Sequence, residues 1–153
     1  MERTKELIEN YRGKYKASAI INSSIGLLFV ATEKFQKEIN RASKTITIEK
    51  WGLKPFKISL CVRVKKDGSF LEETMTLATV SRHIRNSLAH CHFTQIVKNS
   101  RISGFELTDY SYREPRRKTF EMEVSLDELK QFMISMANYI ISDNSPHTTN
   151  SII

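Results

Sequence analysis

The hexapeptide Arg85-Asn86-Ser87-Leu88-Ala89-His90 holds three side chains that could together cleave a phosphodiester bond. Attack by a ribose 2′-hydroxyl needs a base for the hydroxyl proton and an acid for the leaving 5′-oxygen, and imidazole can do either near neutral pH. A guanidinium can bind two oxygens of the negatively charged phosphorane. We therefore assign Arg85 as phosphate clamp and His90 as acid or base. Asn86 would orient His90 or hold a phosphate oxygen.

The hexapeptide closes a predicted amphipathic helix that runs from about Glu72 to His90. The apolar stripe of this helix comprises Leu77, Val80, Ile84 and Leu88. Successive helical residues turn by about 100°, so one polar face lies opposite the stripe and carries Arg82, His83, Asn86 and His90. We expect this face in solvent. Arg85 lies at the edge of this polar face, about 140° from His90. The two side chains would therefore meet only if the guanidinium curls back, or if Arg85 meets His90 across a second subunit.

The positive charge of the chain is concentrated in its first half. The net charge is +7, and residues 1–70 hold fifteen Lys and Arg against seven Asp and Glu, whereas residues 71–153 hold nine against ten. Such clusters suit a polyanion, although a solvated basic surface would have the same composition. For an RNA partner, we expect the contacts to come from Arg82, His83, Lys65, Lys66, Arg116, Arg117 and Lys118.

Length and composition predict a single globular domain. The chain has 153 residues, 40% of them hydrophobic, which suffices for a core. We place the domain at residues 1–142 and a flexible tail at 143–153. Neither a stretch of about twenty apolar residues nor a signal-peptide core is present, so we expect a cytoplasmic protein with no membrane partner. In the cytoplasm, Cys61 and Cys91 would be free thiols. Because the sequence has no CxxC pair, we expect no metal and no cofactor.

Hydrophobic patterns predict helices at both ends of the chain and strands between them. Helical spacing predicts a short helix over 3–11 and a long one over 14–41, in which Gly26 would allow close approach of another helix. Alternation predicts a half-buried strand near 56–65 and a hairpin near 101–124 with a basic tip that includes Arg113. Ser125 and Glu128 form a capping box that opens the last helix.

The motif and its surroundings resemble those of HEPN domains, in particular plasmid- and phage-associated HEPN nucleases. The HEPN motif is an arginine, a polar residue, three variable residues and a histidine, which Arg85, Asn86 and His90 match. The resemblance is good over residues 72–141 and includes Asp109 and the Ser125–Leu129 segment. It implies a mainly α fold, an up-and-down helical bundle, here with a small antiparallel β element formed by the strand near 56–65 and the hairpin near 101–124.

The resemblance also implies a function. Active HEPN domains are metal-independent endoribonucleases of toxin–antitoxin and antiphage defence systems. They form homodimers through the motif-bearing helix, so that two motifs make one cleft, and an antitoxin protein would be a further partner. Two alternatives stay open: a non-catalytic RNA- or nucleotide-binding module, and a partner-binding subunit of a toxin–antitoxin pair. A metal site at His90-Cys91-His92 is disfavoured because adjacent residues on a helix point apart.

Overall fold

The computed structural model describes residues 1–13, 15–112 and 116–143. Within these ranges the chain forms five α-helices and five β-strands. The helices are α1 (Glu2–Asn10), α2 (Lys16–Lys34), α3 (Gln36–Thr45), α4 (Leu77–Ala89) and α5 (Leu126–Asp143). The strands are β1 (Ile58–Val64), β2 (Phe70–Glu72), β3 (Phe93–Lys98), β4 (Arg101–Tyr110) and β5 (Lys118–Ser125). Two 3₁₀ turns, Ile48–Trp51 and Pro55–Lys57, connect α3 to β1.

The strands form one antiparallel sheet in the order β2-β1-β5-β4-β3. In the central β4–β5 pair, Phe105 lies opposite Val124, Leu107 opposite Met122 and Asp109 opposite Phe120. All six of these side chains are buried, so they share the covered face of the sheet. The alternate positions, which include Glu106 and Glu123, lie on the other face.

Helices α4 and α5 pack directly on the covered face, and α1, α2 and α3 pack on α4 and α5. The core therefore extends from the sheet through α4 and α5 into the outer helices. Its largest fully buried side chains include Phe105, Phe120, Phe132, Leu28 and Ile39. Because α4 lies between the sheet and the outer helices, most of its surface is covered.

The predicted bundle with a small β element is only partly correct. Helices dominate, with 55% of the described residues, but five strands in one sheet make the fold mixed α/β. Sequence patterns missed β2, which is only three residues long, and β3, which pairs with β4 through a two-residue turn at Asn99 and Ser100. Both turn residues have a left-handed φ, 50° and 59°, as a tight hairpin requires.

Two predicted helices have different bounds in the structure. The helix predicted over 14–41 is two helices, because the backbone changes direction at Phe35 (φ −121°, ψ 27°). The break lets Ile39 and Ala42 of α3 turn into the core. The helix predicted from Glu72 begins at Leu77, because residues 70–72 pair with β1 and Thr76 caps the helix by accepting a hydrogen bond from the Thr79 N–H at 3.1 Å.

Other predictions are confirmed. The strand near 56–65, the hairpin near 101–124 and the last helix are present, and the Ser125–Glu128 capping box forms with hydrogen bonds of 2.9 and 3.1 Å. The close approach of another helix expected at Gly26 is not seen in the described chain, because none of its atoms lies within 4 Å of a Cβ built there. No helix in the described ranges is long and apolar enough to cross a membrane. The predicted tail begins inside α5, and its residues 144–153, like Arg113 of the hairpin tip, lie outside the described residues.

Candidate functional site

The polar face of α4 lies against the sheet, so the expectation that it faces solvent is wrong for its central residues. His83 is 1% exposed and Asn86 is 3% exposed. The sheet, which a helical bundle would lack, covers this face. Burial of polar groups is costly unless they are hydrogen-bonded, and here β4 supplies the buried carboxylate of Asp109. A direct phosphate contact by His83, as the sequence suggested, does not fit this burial.

The His83 ring lies between two carboxylates. Its Nδ1 is 2.8 Å from Asp109 Oδ2, and its Nε2 is 3.1 Å from Glu73 Oε2. A protonated ring donates to both oxygens, whereas a neutral ring could donate to only one. The ring also stacks on Phe120, with centroids 4.7 Å apart and planes 2° apart. Since Asp109 and Phe120 are cross-strand partners, the sheet register itself sets the position of the ring.

Asn86 connects this buried ring to the motif arginine. Its Nδ2 donates to Asp109 Oδ2 at 3.0 Å, and its Oδ1 accepts a hydrogen bond from Arg85 Nε at 3.1 Å. The other Asp109 oxygen accepts from the Tyr110 N–H at 2.8 Å. Asn86 therefore orients Arg85, and not His90 as one of the sequence-based roles required.

The two carboxylates of the network are held ionised. Burial opposes this for Asp109, but hydrogen bonds from His83 and Asn86 outweigh it, so the net effect is a lowered pKa. The same balance lowers the pKa of Glu73, where burial is outweighed by His83 and by Arg82. Arg82 Nη2 donates to both Glu73 oxygens, at 2.9 and 2.8 Å. Glu73 thus neutralises part of the charge that the sequence assigned to RNA contact.

Arg85 lies on the side of α4 that faces α2. Its guanidinium is 3.5 Å from the Glu33 carboxylate and 5.9 Å from the centre of the Phe29 ring. The side chain is 21% exposed. Together with the Asn86 bond, these contacts fix the direction of the arginine. Among the described residues no contact joins Arg85 to His90, in agreement with their predicted separation around the helix.

His90 lies at the C-cap of α4, exposed to solvent. It lines a cleft of about 280 Å³ with His92, Tyr110 and Arg116. A second cleft, of about 180 Å³, lies above Arg82, His83 and Asn86. The two clefts share a wall formed by Asp109, Tyr110, Ser111 and Tyr112. The structure therefore places Asn86 and His90 in two clefts that share one wall, while Arg85 lines neither of them.

Two basic segments that are distant in sequence meet beside the clefts. Lys65 and Lys66 lie at the β1–β2 turn, and Arg117 Nη1 reaches across to donate to Gly68 O of that turn at 2.6 Å. Arg116 lines the larger cleft. Lys118 instead pairs with Glu121, which lies on the uncovered face of the sheet. The predicted RNA contacts at both turns thus lie together, but Lys118 lies apart from them.

The sequence assigned no role to Glu73 or Glu33, included Arg63 only as part of a basic strand region and marked Asp109 only by resemblance. A signal for Asp109 was present: it occupies an inward position of β4 after Phe105 and Leu107, where a carboxylate needs a partner. Arg63 lines the smaller cleft as an exposed cation, two positions before the predicted Lys65. Glu73 and Glu33 carried no local signal, because their partners are on α4.

No group of three or more His, Cys, Asp or Glu side chains within the described ranges is placed to hold a metal ion. Comparison with known proteins matches residues 1–147 to a HEPN family described as HEPN pEK499 p136. No curated protein and no solved structure matched. Because the match spans nearly the whole chain and includes the Arg85–His90 motif and the network around it, the chain belongs to this HEPN family.

Proposed function

We propose that the chain is a metal-independent endoribonuclease that acts as a homodimer. HEPN domains are often ribonucleases, and membership supports a nuclease or nucleotide-binding role. The observation that carries the proposal is the placement of the motif. Arg85 is held towards α2 by Asn86 and Glu33, whereas His90 lies in a cleft beside two basic turns. One chain thus presents a clamp and a proton carrier on different sides.

A second copy of the chain would complete the site. The outer face of α2 supports this, because Phe29 and Val30 are 49% and 41% exposed. Gly26, one helical turn before them, has open space around its Cβ position. Arg85 already borders this face through Phe29. Most of α4 is buried, so a dimer through the motif-bearing helix would use only its C-terminal end, around Ala89 and His90, together with α2.

The chemistry follows from this arrangement. The 2′-hydroxyl oxygen bonds to the adjacent phosphorus and the bond to the 5′-oxygen breaks. His90 carries one of the two protons that move, and the guanidinium of Arg85 binds the oxygens of the phosphorane. Arg82, Lys65, Lys66, Arg116 and Arg117 hold the RNA backbone. The products are a 2′,3′-cyclic phosphate and a 5′-hydroxyl.

The test is cleavage of single-stranded RNA in EDTA by the purified protein. We expect a 2′,3′-cyclic phosphate end and a loss of at least about 100-fold in rate for His90→Ala and Arg85→Ala, typical for removal of an acid, a base or an oxyanion contact. Arg101→Ala is the matched control, because Arg101 is exposed at the opposite end of β4. Equal cleavage by His90→Ala and wild type would refute the assignment. Absence of cleavage, with RNA binding that weakens steeply in salt, would favour the non-catalytic binding module.

We further propose a role in toxin–antitoxin or antiphage defence, in the cytoplasm, with an antitoxin protein as partner. RNA cleavage inside the cell would stop growth unless it were restrained. Expression of the wild-type chain should therefore arrest growth, whereas expression of His90→Ala to the same level should not. Equal growth with both chains would refute the toxic role and leave the biochemical proposal intact.

A further inference from the structure

His92 has an unusual environment for a histidine at a strand end. Its Nδ1 is buried with no hydrogen-bond partner in the described part of the chain. The backbone at this position is held firmly, because the His92 N–H donates to Ser87 O at 2.8 Å and the Thr108 N–H donates to His92 O at 2.9 Å. The ring also meets Tyr110 edge-on, with centroids 5.0 Å apart. The ring is thus fixed in place while one nitrogen lacks a partner.

The turn after α4 brings this ring next to His90. On a continuous helix, residues i and i+2 would point about 160° apart. Cys91 adopts a left-handed backbone conformation with φ 55°, which ends the helix and redirects the chain. As a result the rings of His90 and His92 are 5.7 Å apart. The geometry expected from the helix, with these histidines diverging, does not hold at this position.

Both rings line the same cleft of about 280 Å³. Among the residues that the structure describes, the other charged and titratable groups that face it are Asp109 and Tyr110 from β4, together with Tyr112 and Arg116. A cleft lined by two imidazoles and a guanidinium, with the Asp109 carboxylate in its wall, fits a phosphodiester, whose oxygens and ribose hydroxyl can contact both rings where they line the cleft.

We propose that His92 is a second proton-transfer residue of the RNase reaction, paired with His90 in the same cleft; this rests on the proposed function. One ring takes the proton from the 2′-hydroxyl as its oxygen bonds to phosphorus. The other ring gives a proton to the 5′-oxygen as the phosphorus–oxygen bond breaks. Protons balance within the pair, which returns to its starting state by exchange with water. Each half-site of a dimer then has its own acid and base.

The first test is the pH dependence of kcat and KM for His92→Asn, with Thr94→Ala on the adjacent exposed strand as control. An acid–base pair produces a bell-shaped profile. We expect kcat to fall by about 100-fold or more, KM to change little, and one limb of the profile to flatten. A fall in kcat with both limbs intact would mean a merely structural role and would overturn the proposal, as would an unchanged kcat.

The second test uses RNA with sulfur in place of the bridging 5′-oxygen, because a thiolate leaves without protonation. We expect this substrate to restore the rate of one variant, either His90→Ala or His92→Asn, and not of the other. Rescue of both or of neither would overturn the pairing. His92→Gln replaces His92→Asn if circular dichroism shows loss of folding. Loss of cleavage in His90→Ala with full activity in the His92 variants would refute this inference alone, whereas an inactive wild type would refute both proposals.

Discussion

Replacing Asp109 with asparagine should destabilise the fold more than any other isosteric change in the network. One oxygen of Asp109 accepts from both His83 Nδ1 and Asn86 Nδ2, at 2.8 and 3.0 Å. An asparagine that keeps its oxygen on the Tyr110 N–H would present an amide donor to two other donors. Asp109 is 4% exposed, so water cannot easily replace the lost acceptor.

The magnitude follows from the two lost bonds. A hydrogen bond to a charged group contributes about 1.5–3 kcal/mol, so the loss of two such bonds in Asp109→Asn should lower the free energy of unfolding by about 3–6 kcal/mol. The total free energy of unfolding of a native domain is about 5–15 kcal/mol, so this loss is a large part of it. Urea denaturation at pH 7 measures the difference. Asp127→Asn is the matched control, because Asp127 is 86% exposed and the change removes only a surface pair with Lys16 at 3.5 Å and one charge in the first turn of α5; we expect a change of no more than about 1 kcal/mol.

The pH dependence of the difference tests the cause. The pKa of Asp109 is lowered in the folded chain, so the carboxylate contributes stability at pH values above the ordinary unfolded pKa of an aspartate, about 3.9. This contribution is lost as the pH falls through the folded value. The gap between wild type and Asp109→Asn should therefore narrow below about pH 4. A gap no larger than that of Asp127→Asn, or one that stays constant down to pH 2, would refute the reasoning.

Three further predictions concern the dimer, the RNA contacts and the thiols. Gly26→Arg should convert the proposed dimer to a folded monomer and abolish cleavage, because Gly26 lies on the open face of α2. Size-exclusion chromatography with light scattering and an activity assay would measure both effects. Lys65→Ala with Lys66→Ala should weaken RNA binding and reduce its salt slope by about 2, measured by fluorescence anisotropy. Maleimide should label the exposed Cys91 and leave Cys61 unmodified below about pH 10, checked by mass spectrometry, because burial raises the Cys61 pKa to about 11.

The first two of these predictions have matched controls. Leu7→Asp alters an apolar residue of α1 that is 58% exposed and belongs to neither α2 nor α4, so it should leave the proposed dimer intact. Dissociation by both variants would contradict the proposed interface. Lys98→Ala, on the exposed end of β3, should not change the salt slope. Rapid labelling of Cys61 in the folded protein would show that β1 opens more readily than its burial implies.

The sequence was sufficient for features that depend on neighbours along the chain. The alternation near 56–65 predicts β1, and Ser125 with Glu128 predicts the start of α5, because side-chain direction in a strand and capping at a helix end are local. The spacing of Arg85, Asn86 and His90 likewise indicates the family and the class of chemistry. The angle between Arg85 and His90 around the helix predicts that one chain does not join them.

Tertiary structure decided which face of α4 is buried. A helical wheel places His83 and Asn86 opposite the apolar stripe, but the sheet covers that side and supplies Asp109 from β4 as their partner. The strand pairing that sets Asp109 beside Phe120 joins residues eleven positions apart, and their partners on α4 lie farther still. No local pattern encodes such a contact, because burial of a polar side chain depends on whether a distant segment brings an acceptor.

By itself, therefore, the sequence determined the identity of the chemical groups and their order along one helix. Only the folded chain decided their roles: Asn86 holds Arg85 and not His90, His83 is a buried partner of two carboxylates, and His92 turns towards His90. The physical reason is that a hydrogen bond is short and directional. Whether two groups can form one depends on a few ångströms of backbone placement, which the left-handed turn at Cys91 and the register of β4 with β5 provide.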